Sequence, residues 1–295
     1  MNRYREEILT TENAFIKNFN AFLDFLARPF RAFVGFVSEQ VWGRLSDSFH
    51  VASSRIVARF YETRLSGLLI EPYCFWQYGD SKHYQRFLPG SGKEKFETFQ
   101  DFFTRRFAEP PKITTSTAWP CEGFVCESGL VQDLPVVRVK GESRELKSIF
   151  GDAASEISDQ YYFSNVYLHN NNYHHIHAPV DGTVSRIEHI PGQLLFLRPW
   201  AYQTKPSLPA LTNERVNVDI VDRQGKKWFL SIVGGPLVAT INLPDFMKVG
   251  KEIQIGQMIA SFALGSTCCV ASPYPPAAPV GESVRVGEAL STVRF

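Results

Sequence analysis

Two short runs decide the fold class: Arg215-Val216-Asn217-Val218-Asp219-Ile220 and, after a polar turn, Trp228-Phe229-Leu230-Ser231-Ile232. In the first, Val216, Val218 and Ile220 alternate with Asn217 and Asp219; in the second, Trp228, Leu230 and Ile232 alternate with Phe229 and Ser231. A period of two places every other side chain on one face of a strand. From about residue 119 onward similar short runs recur, punctuated by Gly and Pro. That pattern predicts a mainly β core, barrel-like or sandwich-like. It shows no βαβ rhythm, no GxGxxG and no Walker motif, which argues against a nucleotide cofactor.

Upstream the period changes. Phe15, Phe19, Phe22, Leu23, Leu26, Phe30, Phe33, Val34, Val37 and Val41 recur at spacings of three and four, which predicts helix over residues 11–64, broken or kinked at Pro29. Residues 65–95 read as irregular, around Pro72, Gly79 and Pro89-Gly90-Ser91-Gly92, and a short helix is expected over Lys93–Arg106. The expected class is therefore α+β: N-terminal helices over residues 1–95, then a mainly β catalytic core over 96–295.

Composition narrows the function. The 295 residues carry a formal net charge of +1, which favours no nucleic-acid partner, and 44% hydrophobic residues, enough for a real core. Cys74, Cys121, Cys126, Cys268 and Cys269 form neither a CxxC pair nor an even disulfide set, so free thiols in a reducing compartment are expected. The first residues lack the apolar stretch of a secretory signal. The 24 phenylalanines crowd towards the N-terminus. With Lys17, Arg28, Arg31 and Arg44 nearby, those helices suit an interfacial position, although packing on the protein's own core is the commoner use of such a face. Arg28 and Arg31 interrupt any membrane-spanning stretch.

Four segments carry chemistry. Tyr173-His174-His175-Ile176-His177-Ala178-Pro179-Val180-Asp181-Gly182 places three imidazoles on a strand and its exit. His175 and His177 share one face and His174 takes the other, a pattern better suited to acid–base work than to a metal. Leu264-Gly265-Ser266-Thr267 follows an apolar run and reads alone as a turn. Pro120-Cys121-Glu122-Gly123 is a turn with one carboxylate, and Thr212-Asn213-Glu214-Arg215-Val216 a polar entry to a strand.

In this order the segments resemble the phosphatidylserine decarboxylase family. Phe96 to Arg105 is similar to its aromatic FFTR segment, Pro120 to Gly123 to its PxDG, and Val139-Lys140-Gly141 with Leu146 to Phe150 to its KG-and-LLG stretch. Tyr173 to Gly182 resembles YHRxHxPxDG, Asn213 to Val216 its NERV, Val233-Gly234-Gly235 its VGA, and Leu264 to Thr267 its GST cleavage motif. The similarity spans roughly residues 97–295.

The resemblance implies a precursor that cuts itself at Gly265–Ser266. Ser266 becomes a covalent pyruvoyl group, and a β-chain of residues 1–265 stays joined to an α-chain of residues 266–295. The pyruvoyl carbonyl condenses with a substrate amine and takes up the electron pair left when CO2 departs. The resemblance further implies His174 for protonation at the substrate stage, His177 for orienting or activating Ser266, and Glu122 as the cleavage base where the family has Asp. No metal is implied. The implied substrate is phosphatidylserine at a membrane surface, with peripheral attachment on the cytoplasmic side. The α/β heterodimer, itself able to pair into a homodimer, is the implied assembly. The alternatives are the same mechanism on a soluble aromatic amino acid, or an unprocessed relative that binds a lipid or partner without catalysis.

Overall fold

The computed structural model describes residues 45, 47–139, 141–195, 197, 202, 205–235, 241–262 and 266–293. Most of the expected N-terminal helical region, including every Phe and Val of its stripe, lies outside the described residues, as do Leu264 and Gly265.

The described helices come first. α1 (Asp47–Tyr61) leads through a 3-10 turn, Arg64–Leu69, into α2 (Ile70–Tyr78). This corrects the irregular reading of residues 65–95. Pro72 and Gly79 are the start and stop of a helix. Proline is tolerated in a first turn, where its missing N–H has no partner to lose, and Gly79 closes the helix at φ 71°, a left-handed value that glycine adopts without penalty. The helix expected over Lys93–Arg106 shrinks to α3 (Phe99–Phe103), because Thr98 caps its start by accepting from the Asp101 amide at 3.0 Å. Phe99, Phe102 and Phe103 bury against Ile70 and Cys74 to make a small core of their own.

Two short strands, β1 (Phe87–Leu88) and β2 (Arg106–Phe107), pair beside this layer. The chain then enters the main sheet with β3 (Gly123–Leu130), makes the hairpin β4 (Val137–Val139) and β5 (Glu142–Arg144), and continues with β6 (Tyr162–Leu168), β7 (His175–His177) and β8 (Gly182–Ile190). A short α4 (Leu208–Thr212) precedes β9 (Arg215–Asp222) and β10 (Lys227–Gly234). The remaining strands are β11 (Ile241–Asn242), β12 (Glu252–Ile253), β13 (Met258–Phe262), β14 (Ser266–Ser272) and β15 (Ser283–Val284).

Eight of these form one open antiparallel sheet in the order β12-β8-β9-β10-β14-β6-β3-β15, and β11-β13-β7 form a second. The expected α+β class with a mainly β core is what the chain adopts. Of the two shapes expected for that core it takes the layered one, since no described pairing joins β12 to β15.

Alternation decides what each face buries. On one face Trp228, Leu230, Ile232, Cys268 and Val270 pack with Ile176, Ala260 and Phe262 of the smaller sheet. On the other, Phe229, Val233, Cys269 and Ala271 pack with Ile149, Phe150 and Ala153 of the 3-10 segment Leu146–Glu156 and with α4. Fully burying each such side chain contributes roughly 1.5–3 kcal/mol. The polar members of the alternation are covered too, so they need partners. Asn217 and Arg215 both donate to the Ile149 carbonyl, at 3.1 and 2.7 Å, and Asp219 pairs with Arg186 at 3.4 Å. Burial lifts the Asp219 carboxyl to about 6. All five cysteines are free and buried.

Candidate active site

Ser266 opens β14, a strand in the middle of the large sheet. Its backbone lies opposite Gly234 of β10 on one side and Leu168 of β6 on the other, and the residue is fully buried. The register is pinned from both flanks. Thr267 donates its hydroxyl hydrogen between Asn165 Oδ1 at 2.6 Å and the Val166 carbonyl at 2.7 Å. Asn213 Nδ2 donates to the Gly234 carbonyl at 2.8 Å while its other contacts tie down Leu195. The polar entry around Asn213 is thus an internal brace, not a surface turn.

His174 reaches this position from the strand that carries the histidines. Its Nδ1 lies 3.4 Å from Ser266 Oγ, and its ring stacks on Phe103 at 4.1 Å with planes 24° apart. The ring is wholly buried and Nε2 has no hydrogen-bond partner among the described residues. Burial, reinforced by the nearby Arg105 charge, pushes its pKa well below the usual histidine range. At neutral pH this imidazole is uncharged.

His175 and His177 turn the other way, as the period of two requires. Both rings lie against Tyr173, at 4.6 and 5.6 Å. A carbonyl only accepts, so His177 Nδ1 donates to the Gly256 carbonyl at 2.6 Å, which leaves Nε2 as the acceptor for the Tyr173 hydroxyl at 3.2 Å. By the same logic His175 Nε2 donates to the Thr104 carbonyl at 3.0 Å. Burial depresses both rings, His175 to about 4. Of the three histidines, then, His174 contacts Ser266, while His177 has both nitrogens engaged elsewhere.

Glu122 sits just before β3 and is half-buried, accepting from Asn172 Nδ2 at 3.0 Å. The glycine after it is required by contact: a Cβ on Gly123 would stand 2.4 Å from the Tyr167 carbonyl oxygen. Glu122 and Tyr173 share the wall of a cavity of about 630 Å³ that also reaches Tyr78, His83 and Arg105. The Pro120 carbonyl accepts from the His177 amide at 2.7 Å, so the carboxylate's turn runs along the histidine strand. The carbonyl of Gly265 lies outside the described residues. Among those described, no group of three or more His, Cys, Asp or Glu side chains gathers as a metal site.

A buried hydroxyl thus faces a neutral imidazole at the first residue of a strand. A family model for phosphatidylserine decarboxylase matches residues 99–292. The chain belongs to the phosphatidylserine decarboxylase family. Among its relatives, the phosphatidylserine decarboxylase proenzyme of Methylibium petroleiphilum is 27% identical over 290 residues, 90% of this chain and 93% of that protein. The proenzyme of the same name from Coxiella burnetii is 26% identical over 297 residues, 90% and 94% of the two chains. That of Psychrobacter arcticus is 27% identical over 225 residues, 68% and 79%. "Proenzyme" denotes a precursor that is processed. The family match begins at α3, so Phe99–Phe103, the helix whose Phe103 stacks on His174, lies within the residues that match the phosphatidylserine decarboxylase model.

Sequence reasoning did not single out Phe103, Asn172 or Tyr173 as parts of the site. Tyr173 stood inside the histidine segment and its alternation with His175 and His177 was a usable signal. Phe103 had none, because a phenylalanine that stacks on an imidazole reads like one that fills a core.

Proposed function

We infer that this chain is a phosphatidylserine decarboxylase, made as a precursor and matured by breaking its own Gly265–Ser266 bond. The observation that carries the reading is the buried contact between Ser266 Oγ and His174 Nδ1 at the head of β14, in a chain that matches the family over residues 99–292.

In maturation the Ser266 hydroxyl attacks the Gly265 carbonyl carbon. A C–O bond forms, the C–N bond breaks, and the acyl group passes from nitrogen to oxygen. The ester then eliminates: the Ser266 Cβ–O bond breaks, the Gly265 carboxylate leaves as the new end of the β-chain, and the dehydroalanine left on the α-chain adds water and loses ammonia to give the pyruvoyl cap. Glu122 and His177 are assigned to this stage; support comes from the Pro120–His177 backbone bond and from Tyr173, which His177 touches and which shares the cavity wall with Glu122. The Ser266 position suits a pyruvoyl group: it is dry, it is flanked by a neutral ring, and no carboxylate is hydrogen-bonded to it among the described residues. Once formed, that group supplies a carbonyl that condenses with the substrate amine and accepts the electron pair released with CO2. His174 then does the protein's part: once protonated, it passes the Nδ1 proton to the carbon that lost its carboxyl and returns to the neutral imidazole. Stacking on Phe103 keeps the ring from turning away.

The lipid reaches the site from a surface. Ile56, Phe60, Leu65, Leu68, Phe75 and Trp76 are all exposed, on consecutive elements from α1 to α2. Apolar side chains this large on one stretch of chain mark an interaction surface, and for a lipid substrate the fitting partner is the bilayer face. No helix among the described residues is long and apolar enough to cross a membrane, which makes the attachment peripheral in this proposal. The two chains produced by cleavage stay together as an α/β heterodimer through β14.

Intact-mass analysis tests the reading. Purified wild-type protein should resolve into a large and a small fragment, the small one blocked at its amino end, and Ser266→Ala should remain one species of 33.4 kDa. Wild-type protein that stays whole on long incubation would refute it.

A further inference from the structure

Arg105 is 1% exposed, yet no ion pair among the described residues includes it. All of its acceptors are uncharged. Nη2 donates to the Asn171 carbonyl at 2.6 Å, the Asn172 carbonyl at 2.8 Å and the Tyr78 hydroxyl at 3.3 Å, and Nη1 donates to the Phe102 carbonyl at 3.3 Å. Nε has no partner. The guanidinium lies over the rings of Phe87 and Phe102, at 5.0 and 4.8 Å, an arrangement that recovers part of its lost hydration. Burying a cation without a carboxylate still carries an uncompensated desolvation cost. Bridging two carbonyls does not by itself need a charge.

What Arg105 bridges is the bend that feeds the histidine strand. Its neighbours grip the same strand, residue by residue. Phe103 stacks on His174, the Thr104 carbonyl takes the His175 hydrogen at 3.0 Å, and Phe107 stacks on Tyr173 at 4.1 Å. Tyr78, from α2, adds a bond to the Asn171 carbonyl at 2.6 Å. Phe103 to Phe107 therefore forms a clasp along Asn171 to His175, closed by Arg105, whose Nη2 bonds two consecutive carbonyls while Nη1 ties back to Phe102.

We propose that Arg105 is a positioning residue for His174, clamping the Asn171–Asn172 bend so that the imidazole keeps its direction towards Ser266. The proposal rests on the reading of His174 as the proton carrier at Ser266. The charge has a second effect. Among the described residues the ionisable groups that bear on His174 are Arg105 on the clasp and His175 on its own strand, which both oppose a positive charge on the ring, and His169 before the bend, whose charge opposes it while its backbone carbonyl favours it; Arg105 is the one that is permanently charged. Arg105 thus fixes both where the ring points and the form in which it waits.

Two variants separate these effects. Arg105→Lys keeps the cation but loses the planar fork; Arg105→Gln loses both charge and fork. In matured enzyme both should lower kcat for phosphatidylserine by roughly 10- to 100-fold with KM changed by less than about threefold, since misorientation by about 1 Å costs on that order. The alkaline limb of the kcat profile, where His174 loses the proton it donates, should move to higher pH in Arg105→Gln by about one unit and stay in place in Arg105→Lys. The imidazole NMR signals of the uncleavable Ser266→Ala chain give a readout that needs no activity: adding Arg105→Gln should raise the His174 titration midpoint, and adding Arg105→Lys should not. A raised KM with kcat preserved would make Arg105 a substrate-binding group and overturn the proposal, as would an unmoved His174 titration in a folded Arg105→Gln chain. Wild-type protein with no decarboxylase activity would instead defeat the functional reading, leaving the titration to judge Arg105.

Discussion

His174→Gln isolates proton transfer from everything else His174 does. Glutamine can keep a hydrogen bond to Ser266 and fills much of the same space, but it neither takes nor gives a proton near neutral pH. Among the described residues His174 is the only titratable side chain hydrogen-bonded to Ser266, and both nitrogens of His177 are engaged by Gly256 and Tyr173. The full contribution of a positioned acid–base group should therefore be lost, about 100- to 10,000-fold in turnover, or about 3–5 kcal/mol in the barrier. Loss of the ring stack on Phe103 costs about 1 kcal/mol of stability, which leaves the variant folded. The assay is CO2 release from phosphatidylserine in mixed micelles, normalised to the amount of small fragment so that maturation and turnover are scored separately. Turnover within about fivefold of wild type in matured His174→Gln, against that expected loss, would refute the assignment. A folded variant that stays whole would move His174 to the cleavage step instead.

Three other outcomes are expected. Glu122→Asp withdraws the carboxylate by one methylene from Asn172 Nδ2, now 3.0 Å away, and should slow maturation by roughly 10- to 100-fold on a gel time course; faster cleavage would show that the glutamate is poorly placed. Because burial holds the folded-state pKa values of His174, His175 and His177 below their unfolded values, the unfolded chain binds more protons as pH falls below about 6.5. Stability should be full above that pH and decline towards pH 4, with His175, depressed to about 4, alone accounting for roughly 3 kcal/mol in chemical denaturation of Ser266→Ala; a flat profile would contradict the burial of these rings. Replacing Leu68 and Trp76, 72% and 41% exposed, by Asp should weaken liposome flotation at least about tenfold without changing maturation, and undiminished flotation would remove these elements from the membrane surface.

The sheet was legible because alternation is local. Val216 to Ile220 and Trp228 to Ile232 carry their period openly, and β9 and β10 lie where it places them. That both faces are covered was not legible, since Asn217 and Asp219 look solvent-facing until the Leu146–Glu156 segment is laid over them. Pro72 and Gly79 misled for a related reason: the same residues that break a helix also begin and end one. At the site, parity along Tyr173 to His177 separated His174 from its neighbours correctly. The partner each ring finds is a matter of long-range packing: Thr104 for His175, Gly256 for His177, Phe103 for His174. No spacing rule reaches across those separations.

The position of β14 has a consequence for what scission does to the molecule. The cut proposed at Gly265–Ser266 falls immediately before a strand whose neighbours, β10 and β6, hold it along its whole length. Beyond that strand the same segment returns to pair with Phe124, and its Leu290 and Glu288 backbone groups bond to Thr117 and Trp119. The smaller piece is thus laced in at both ends. Its escape requires opening the interior of the sheet, so departure of the piece and loss of the fold are one event. Maturation is in this proposal a one-way door: the protein loses a covalent link while β14 keeps its pairing to both neighbours, and once unfolded the two pieces must find each other through solution, a search the uncut chain never faces.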